Sequence, residues 1–200
     1  MTAPAHIAVI DIGKTNAKLA LVDAADLSEL AVETRPNRVI PGPPWPHFDL
    51  SGHWAFLLDA LARFHARHRV DAISVTTHGA SAVLLDAAGG LAAPMLDYEH
   101  DGPDSCAADY DALRPGFDDT GSPRLGAGLN LGAQLHWMLQ RDPGLRDRLA
   151  HVVTYPQYWG FRLTGVRASD VTSLGCHTDL WDPWRGRPSA STVTITNRAV

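Results

Sequence analysis

The chain opens with three apolar segments separated by very short polar breaks, and this spacing limits its topology before anything else is considered. Ile7-Ala8-Val9-Ile10-Asp11 reads as a buried strand ending in an acid. Ile12-Gly13-Lys14-Thr15-Asn16 is too short for anything but a turn, and Ala17 to Val22 reads as a second strand. Leu30 to Thr34 is a plausible third. Parallel neighbours need crossovers of a dozen or more residues, whereas antiparallel ones need only short loops. Two close hairpins therefore point to an α/β protein built on a mixed sheet, not a doubly wound parallel one.

The next stretch separates that sheet from a helix. Arg35 to Asp49 carries five prolines and reads as a loop, because proline can continue neither a helix nor a ladder. Ser51 is a candidate cap for a helix whose apolar face holds Trp54, Leu57, Leu58, Leu61 and Phe64. His65 and His68 near its end make too sparse a ligand set for a metal, so a solvated helix end is expected there. Strands are expected at Asp71–Thr76 and Ala82–Leu85, and helices at Asn130–Gln140 and Tyr155–Leu163, the last closed by Thr164-Gly165. Ser191–Thr196 alternates like an isolated strand.

Composition excludes several function classes. With 200 residues, 45% of them hydrophobic, the chain suits one ordinary domain or one large lobe with a genuine core. A formal charge of −5 leaves no broad basic field for a phosphate backbone, so nucleic acid is not an expected partner. The apolar runs are far too short to span a membrane, and no leader pattern is evident at the start. Cys106 and Cys176 give no metal or disulfide spacing. A cytoplasmic protein is the plain expectation.

Asp11-Ile12-Gly13-Lys14-Thr15-Asn16 is the densest chemical signal. Glycine lets the main chain turn and bring its N–H groups close to phosphate, Thr15 and Asn16 add neutral donors, and Lys14 adds a positive charge. Asp11 is placed to meet phosphate-bound Mg²⁺ through water. Gly13-Lys14-Thr15 imitates the end of a Walker A loop, but position 8, where that motif begins with glycine, is Ala8, and a strand rather than a helix is expected next. An ordinary hairpin glycine also accounts for the motif taken alone.

Further segments, in chain order, supply the context. They are Thr77-His78-Gly79-Ala80-Ser81, Pro94-Met95-Leu96-Asp97-Tyr98-Glu99-His100-Asp101 and Leu131-Gly132-Ala133-Gln134-Leu135-His136-Trp137-Met138. Tyr158-Trp159-Gly160-Phe161-Arg162-Leu163-Thr164-Gly165 and Ser169-Asp170-Val171-Thr172-Ser173 through Asp182 follow. Together with the first hairpin these resemble the FGGY carbohydrate kinases from about Ile7 to Trp184. Lys14 stands where that family often has threonine, Glu99 where aspartate is more usual and Asp101 where arginine is more usual.

The resemblance implies an actin-like, ribonuclease H-like ATPase lobe, with a mixed β-sheet flanked by helices. It implies ATP-dependent phosphorylation of a ketose or polyol, with ATP and Mg²⁺ as cofactors. Asp11, Gly13, Lys14, Thr15 and Asn16 fall at the nucleotide, Asp11 at the metal, and His78, Gly79, Tyr98 and Glu99 at the sugar. Asp170 reads as a helix cap or a loop brace rather than a catalytic acid. The family's general base, an aspartate in a Gly-x-x-Asp context, is expected beyond the C-terminus, so no catalytic residue is assigned within the chain. The familial pattern runs over 1–188, an incomplete N-terminal lobe, and 189–200 reads as an atypical tail of a truncated or frame-disrupted product, inactive alone. A lobe made to face a partner lobe leaves apolar surface uncovered, which favours a homo-oligomer or aggregation. The alternatives are a non-catalytic sugar- or nucleotide-binding module and an actin-fold ATPase without a sugar substrate.

Overall fold

The computed structural model describes residues 3–190 and Thr192, arranged in two compact units. Among the described residues, the first combines 3–40 with 48–78, and the second combines 41–47 with 79–190 and Thr192.

The first unit is a four-stranded sheet with one long helix. Strands β1 (His6–Ile12), β2 (Asn16–Asp23) and β3 (Glu29–Pro36) form a meander, α1 spans Leu50–His68, and β4 (Ala72–Thr77) returns beside β1. The sheet order is β3-β2-β1-β4, antiparallel except for the parallel β1–β4 pair, so it is mixed as the hairpin spacing requires. In β1 the alternate residues Ala8, Ile10 and Ile12 are fully buried, with Ala17, Leu19 and Leu21 of β2, and α1 packs on these strands through Leu57, Ala60 and Phe64. Each such large side chain removed from water contributes about 1.5–3 kcal/mol.

Two sequence expectations for α1 are corrected. Its cap is Asp49, not Ser51: an Asp49 carboxylate oxygen accepts the Gly52 amide at 2.8 Å, and Ser51 lies inside the first turn. Its buried face is also rotated. Leu58 is 45% exposed while His53 is wholly buried, because the sheet supplies polar partners for that histidine. His65 serves the helix end, as expected, its Nδ1 accepting the Val70 amide at 3.1 Å. The third strand runs two residues beyond its expected end, to Pro36, which an edge strand tolerates.

In the second unit β5 (Ala82–Leu85) pairs antiparallel with β6 (His151–Thr154). A short helix α2 (Ala107–Asp111) precedes α3 (Leu131–Arg141), and α4 (Tyr155–Thr164) and α5 (Val171–Gly175) follow. The core gathers Leu84, Tyr110, Leu131, Leu135, Met138, Leu149, Val152 and Leu180, with Trp45 contributed by the proline-rich stretch. Asn130 caps α3 by accepting the Ala133 amide at 3.1 Å, and Asp170 caps α5 by accepting the Ser173 amide at 2.8 Å. Gly165 ends α4 at φ +75°, a conformation that costs glycine nothing. No described helix is long and apolar enough to cross a membrane. The alternating segment Ser191–Thr196 lies, apart from Thr192, outside the described residues.

Candidate functional site

The turn between β1 and β2 is the centre of the first unit's candidate site. Ile12 pairs with Ala17, so Gly13 to Thr15 close the hairpin and the Gly13 amide donates to the Asn16 carbonyl at 2.9 Å. A strand begins at Asn16, directly after the turn, which rules out the helix that a Walker A loop requires. Asp11, last but one in β1, alternates with the buried Ile10 and Ile12 and is half-exposed beside the turn. The facing Lys18 is engaged elsewhere, its Nζ 3.1 Å from Glu29.

The turn's polar atoms are held from behind. Asn37, immediately after β3, donates from Nδ2 to the Gly13 carbonyl and from its main-chain N–H to the Thr15 carbonyl, both at 2.8 Å. Lys14 lies with its ammonium 5.2 Å from the centroid of the Phe48 ring, a cation–π arrangement, and Phe48 lies 5.1 Å from the His78 ring. His78 also donates its amide to the Ile12 carbonyl at 2.8 Å. The first unit thus brings Asp11, Gly13, Lys14, Thr15, Asn16 and His78 to one end of its sheet.

Gly79, Tyr98 and Glu99 belong to the second unit. Glu99 is exposed and Tyr98 half-buried; the Glu99 amide donates to Asp97 at 3.2 Å, and the Asp97 amide donates to the Pro46 carbonyl at 2.9 Å. Two residues not assigned to the site from the sequence organise this segment. Gln134 of α3 donates from Nε2 to the Ala80 carbonyl at 2.6 Å and to the Gly128 carbonyl. Gly128 in turn lies against the Tyr98 backbone: a methyl group there would come within 2.7 Å of the Tyr98 carbonyl oxygen and 2.9 Å of its Cα. Gln134 and Gly128 therefore connect the Gly79–Ala80 stretch to the Tyr98 stretch. Gly128→Ala is expected to displace Tyr98 and cost about 1–3 kcal/mol, because backbone cannot swing aside as a side chain can. A urea titration of the variant and a comparison of amide shifts at Tyr98 and Glu99 measure both effects.

The donor set suits a nucleotide–metal pair. One carboxylate, two hydroxyl or amide side chains and a glycine turn are all oxygen or N–H groups, and Mg²⁺ takes one or two carboxylates while keeping water and phosphate oxygens in its shell. Among the described residues there is no group of three or more His, Cys, Asp or Glu that could hold a metal by protein ligands alone.

Comparison with known proteins identifies the family. A model of the N-terminal domain of the FGGY family of carbohydrate kinases matches residues 6–181. The chain is 27% identical over 138 residues to a rhamnulokinase of Klebsiella pneumoniae, covering 60% of this chain and 27% of that protein. Among solved structures, a carbohydrate kinase from Novosphingobium aromaticivorans superposes with a TM-score of 0.87 at 40% identity, over 97% of this chain and 41% of the other. A xylulose kinase from Rhodospirillum rubrum gives 0.77 at 25% identity, over 97% and 42%. The chain thus spans about two fifths of these solved relatives and about a quarter of the curated one. The mixed sheet with its flanking helices is the actin-like ATPase fold, and the chain belongs to the FGGY family of carbohydrate kinases, of which it carries the N-terminal domain.

Proposed function

We propose that the chain is the nucleotide- and sugar-binding portion of an ATP-dependent kinase that transfers the γ-phosphoryl group to a hydroxyl of a ketose or polyol. The observation that carries this reading is the Gly13–Thr15 turn, closed between two antiparallel strands with Asp11 at its entrance. Bound Mg²⁺ would draw charge from the phosphate oxygens as the γ-phosphoryl group leaves. Asp11 would hold that ion through water, as one carboxylate suffices for a cation that gives up its hydration reluctantly. Main-chain N–H groups at Lys14 to Asn16 would meet the phosphate tail, with Thr15 and Asn16 side chains as neutral donors. Lys14 would leave the Phe48 ring to reach a phosphate, or remain there and leave the task to the amides. His78, Gly79, Tyr98 and Glu99 would orient the sugar, the carboxylate by hydroxyl hydrogen bonds and the ring by packing on C–H surface. The similarity to a rhamnulokinase and a xylulose kinase supports this class, and a cytoplasmic location suits ATP-driven sugar metabolism.

Calorimetric titration of the chain with Mg·ATP tests the reading. Asp11→Asn is expected to weaken Mg·ATP about tenfold, or about 1.4 kcal/mol, while binding of ATP in EDTA changes little, since only the metal contact is removed. Equal affinities for Mg·ATP in the two proteins would overturn the assignment of Asp11. Phosphate transfer to none of a panel of pentoses, hexoses and polyols by the protein that contains this domain would overturn the kinase reading itself.

A further inference from the structure

The turn's support continues well behind Asn37. His53, wholly buried in α1, places Nε2 2.8 Å from the Asn37 side-chain oxygen and Nδ1 2.9 Å from Arg35 Nη1. Arg35 Nη2 lies 2.5 Å from the Asp49 carboxylate, whose other oxygen accepts the Gly52 amide. The five groups form one line running from the N-terminus of α1 to the Gly13 carbonyl.

That line has a single consistent direction. A guanidinium has donors and no acceptor, so His53 Nδ1 must accept from Arg35. The remaining proton then belongs on Nε2, which donates to the Asn37 oxygen, and Asn37 must present its NH₂ to Gly13. Reversing any member would set donor against donor or oxygen against oxygen. The arginine therefore fixes both the histidine tautomer and the amide orientation two residues away. Burial first, and the Arg35 charge second, keep His53 neutral by pulling it down from 6.5 to about 4, with Asp49 opposing and His78 adding to the effect.

We propose that Arg35, His53 and Asn37 are positioning residues that hold the Gly13–Thr15 turn in its phosphate-binding conformation. Asn37 draws the Gly13 and Thr15 carbonyls toward itself. In a planar trans peptide the N–H lies opposite the C=O, so the Lys14 and Asn16 N–H groups are turned away from Asn37. An anion site made from main-chain amides needs this, because a carbonyl rotated into it would repel phosphate. The proposal rests on the nucleotide reading of the turn, and it extends that reading to three residues that touch no nucleotide themselves.

The test uses the full chain and three variants. His53→Phe removes both ring hydrogen bonds with little change of shape. His53→Gln restores an acceptor for Arg35 and a donor for Asn37. Asn37→Asp keeps the shape but takes away the donor to Gly13. Amide hydrogen exchange at residues 13–16 is expected to quicken at least tenfold in His53→Phe and Asn37→Asp and to return toward the original rate in His53→Gln, while exchange at Leu57–Phe64 stays within twofold. Mg·ATP affinity is expected to fall about tenfold in the two loosened variants and to recover in His53→Gln. Equal acceleration at the turn and in α1 would overturn the proposal, since the groups would then be merely structural. A loosened turn with unchanged Mg·ATP affinity would overturn it as well. Failure of the unaltered chain to bind Mg·ATP would instead strike the nucleotide reading, and the exchange pattern would still decide whether the line holds the turn.

Discussion

Arg114→Met is expected to destabilise the second unit by about 3–5 kcal/mol, because it strands a buried carboxylate. Asp179 has no exposed surface, and it accepts from Arg114 Nε and Nη2, each at 2.9 Å, and from the Tyr110 hydroxyl at 2.6 Å. Arg114 Nη2 also reaches the Ser122 carbonyl at 2.9 Å. Burial, reinforced by the Asp179 charge, pushes the Tyr110 phenol far above its ordinary value, so the hydroxyl remains a donor. The chain around Asp179 holds a positive φ of 61°, and its neighbours fasten α3: the His177 and Thr178 carbonyls accept the Leu131 and Gly132 amides at 3.0 Å. Methionine matches the length of the arginine stem but leaves the carboxylate without its cation. Tyr110→Phe removes one neutral-to-charged hydrogen bond of several and should cost less, about 1.5–3 kcal/mol. Guanidinium titration followed by tryptophan fluorescence reads both, since of six tryptophans only Trp54 lies in the other unit. A loss below 1 kcal/mol for Arg114→Met would mean that the ion pair does not hold this region. Adding Asp179→Leu to Arg114→Met should recover part of the loss, as a buried pair replaced entirely by apolar groups is often close to neutral.

This network also marks the limit of what the sequence conveys. Local patterns were enough for the hairpins, because loop lengths alone force antiparallel neighbours, and for α3 and α4, whose apolar spacing and end residues agree. Asp170 was legible as a cap for the same reason: its partner is three residues away. Asp179 was not legible, since the arginine that neutralises it lies 65 residues earlier and no local rule couples the two. The same holds for α1. Trp54, Leu58 and Leu61 make a credible apolar face on paper, yet the sheet brings Arg35 and Asn37 to His53 and so makes a polar residue the better one to bury. In the candidate site, the turn at Gly13 was visible as a motif, whereas its supports Asn37 and His53, and the connector Gly128, carry no signature that their own neighbours in sequence would reveal; Gln134 lies in a quoted segment, but its bonds to Ala80 and Gly128 come from the fold.

His53 also makes the first unit's stability depend on pH. In the folded chain it binds a proton only near pH 4, whereas in the unfolded chain it does so near 6.5. Between those values the unfolded state holds the extra proton, so stability is complete above about pH 6.5 and declines as the pH falls toward 4. At about 1.4 kcal/mol per pH unit for one proton, the loss across the window is about 3 kcal/mol. The groups facing the ring explain the direction. A protonated Nδ1 would point its N–H at Arg35, and His78 adds a further cation when charged, while Asp49 alone favours the charged ring. Asp49 acts in a lower range. Burial would raise it, but the Gly52 amide and Arg35 outweigh that and hold it below its ordinary 3.8, so its contribution is lost only as the medium becomes more acid still. Urea titrations at pH 7 and pH 4.5 should therefore show a fall in unfolding free energy that is much smaller in His53→Gln, which keeps the hydrogen bonds and has no proton to gain. An NMR titration that finds the His53 ring changing charge near 6.5 in the folded chain would remove the basis for this difference.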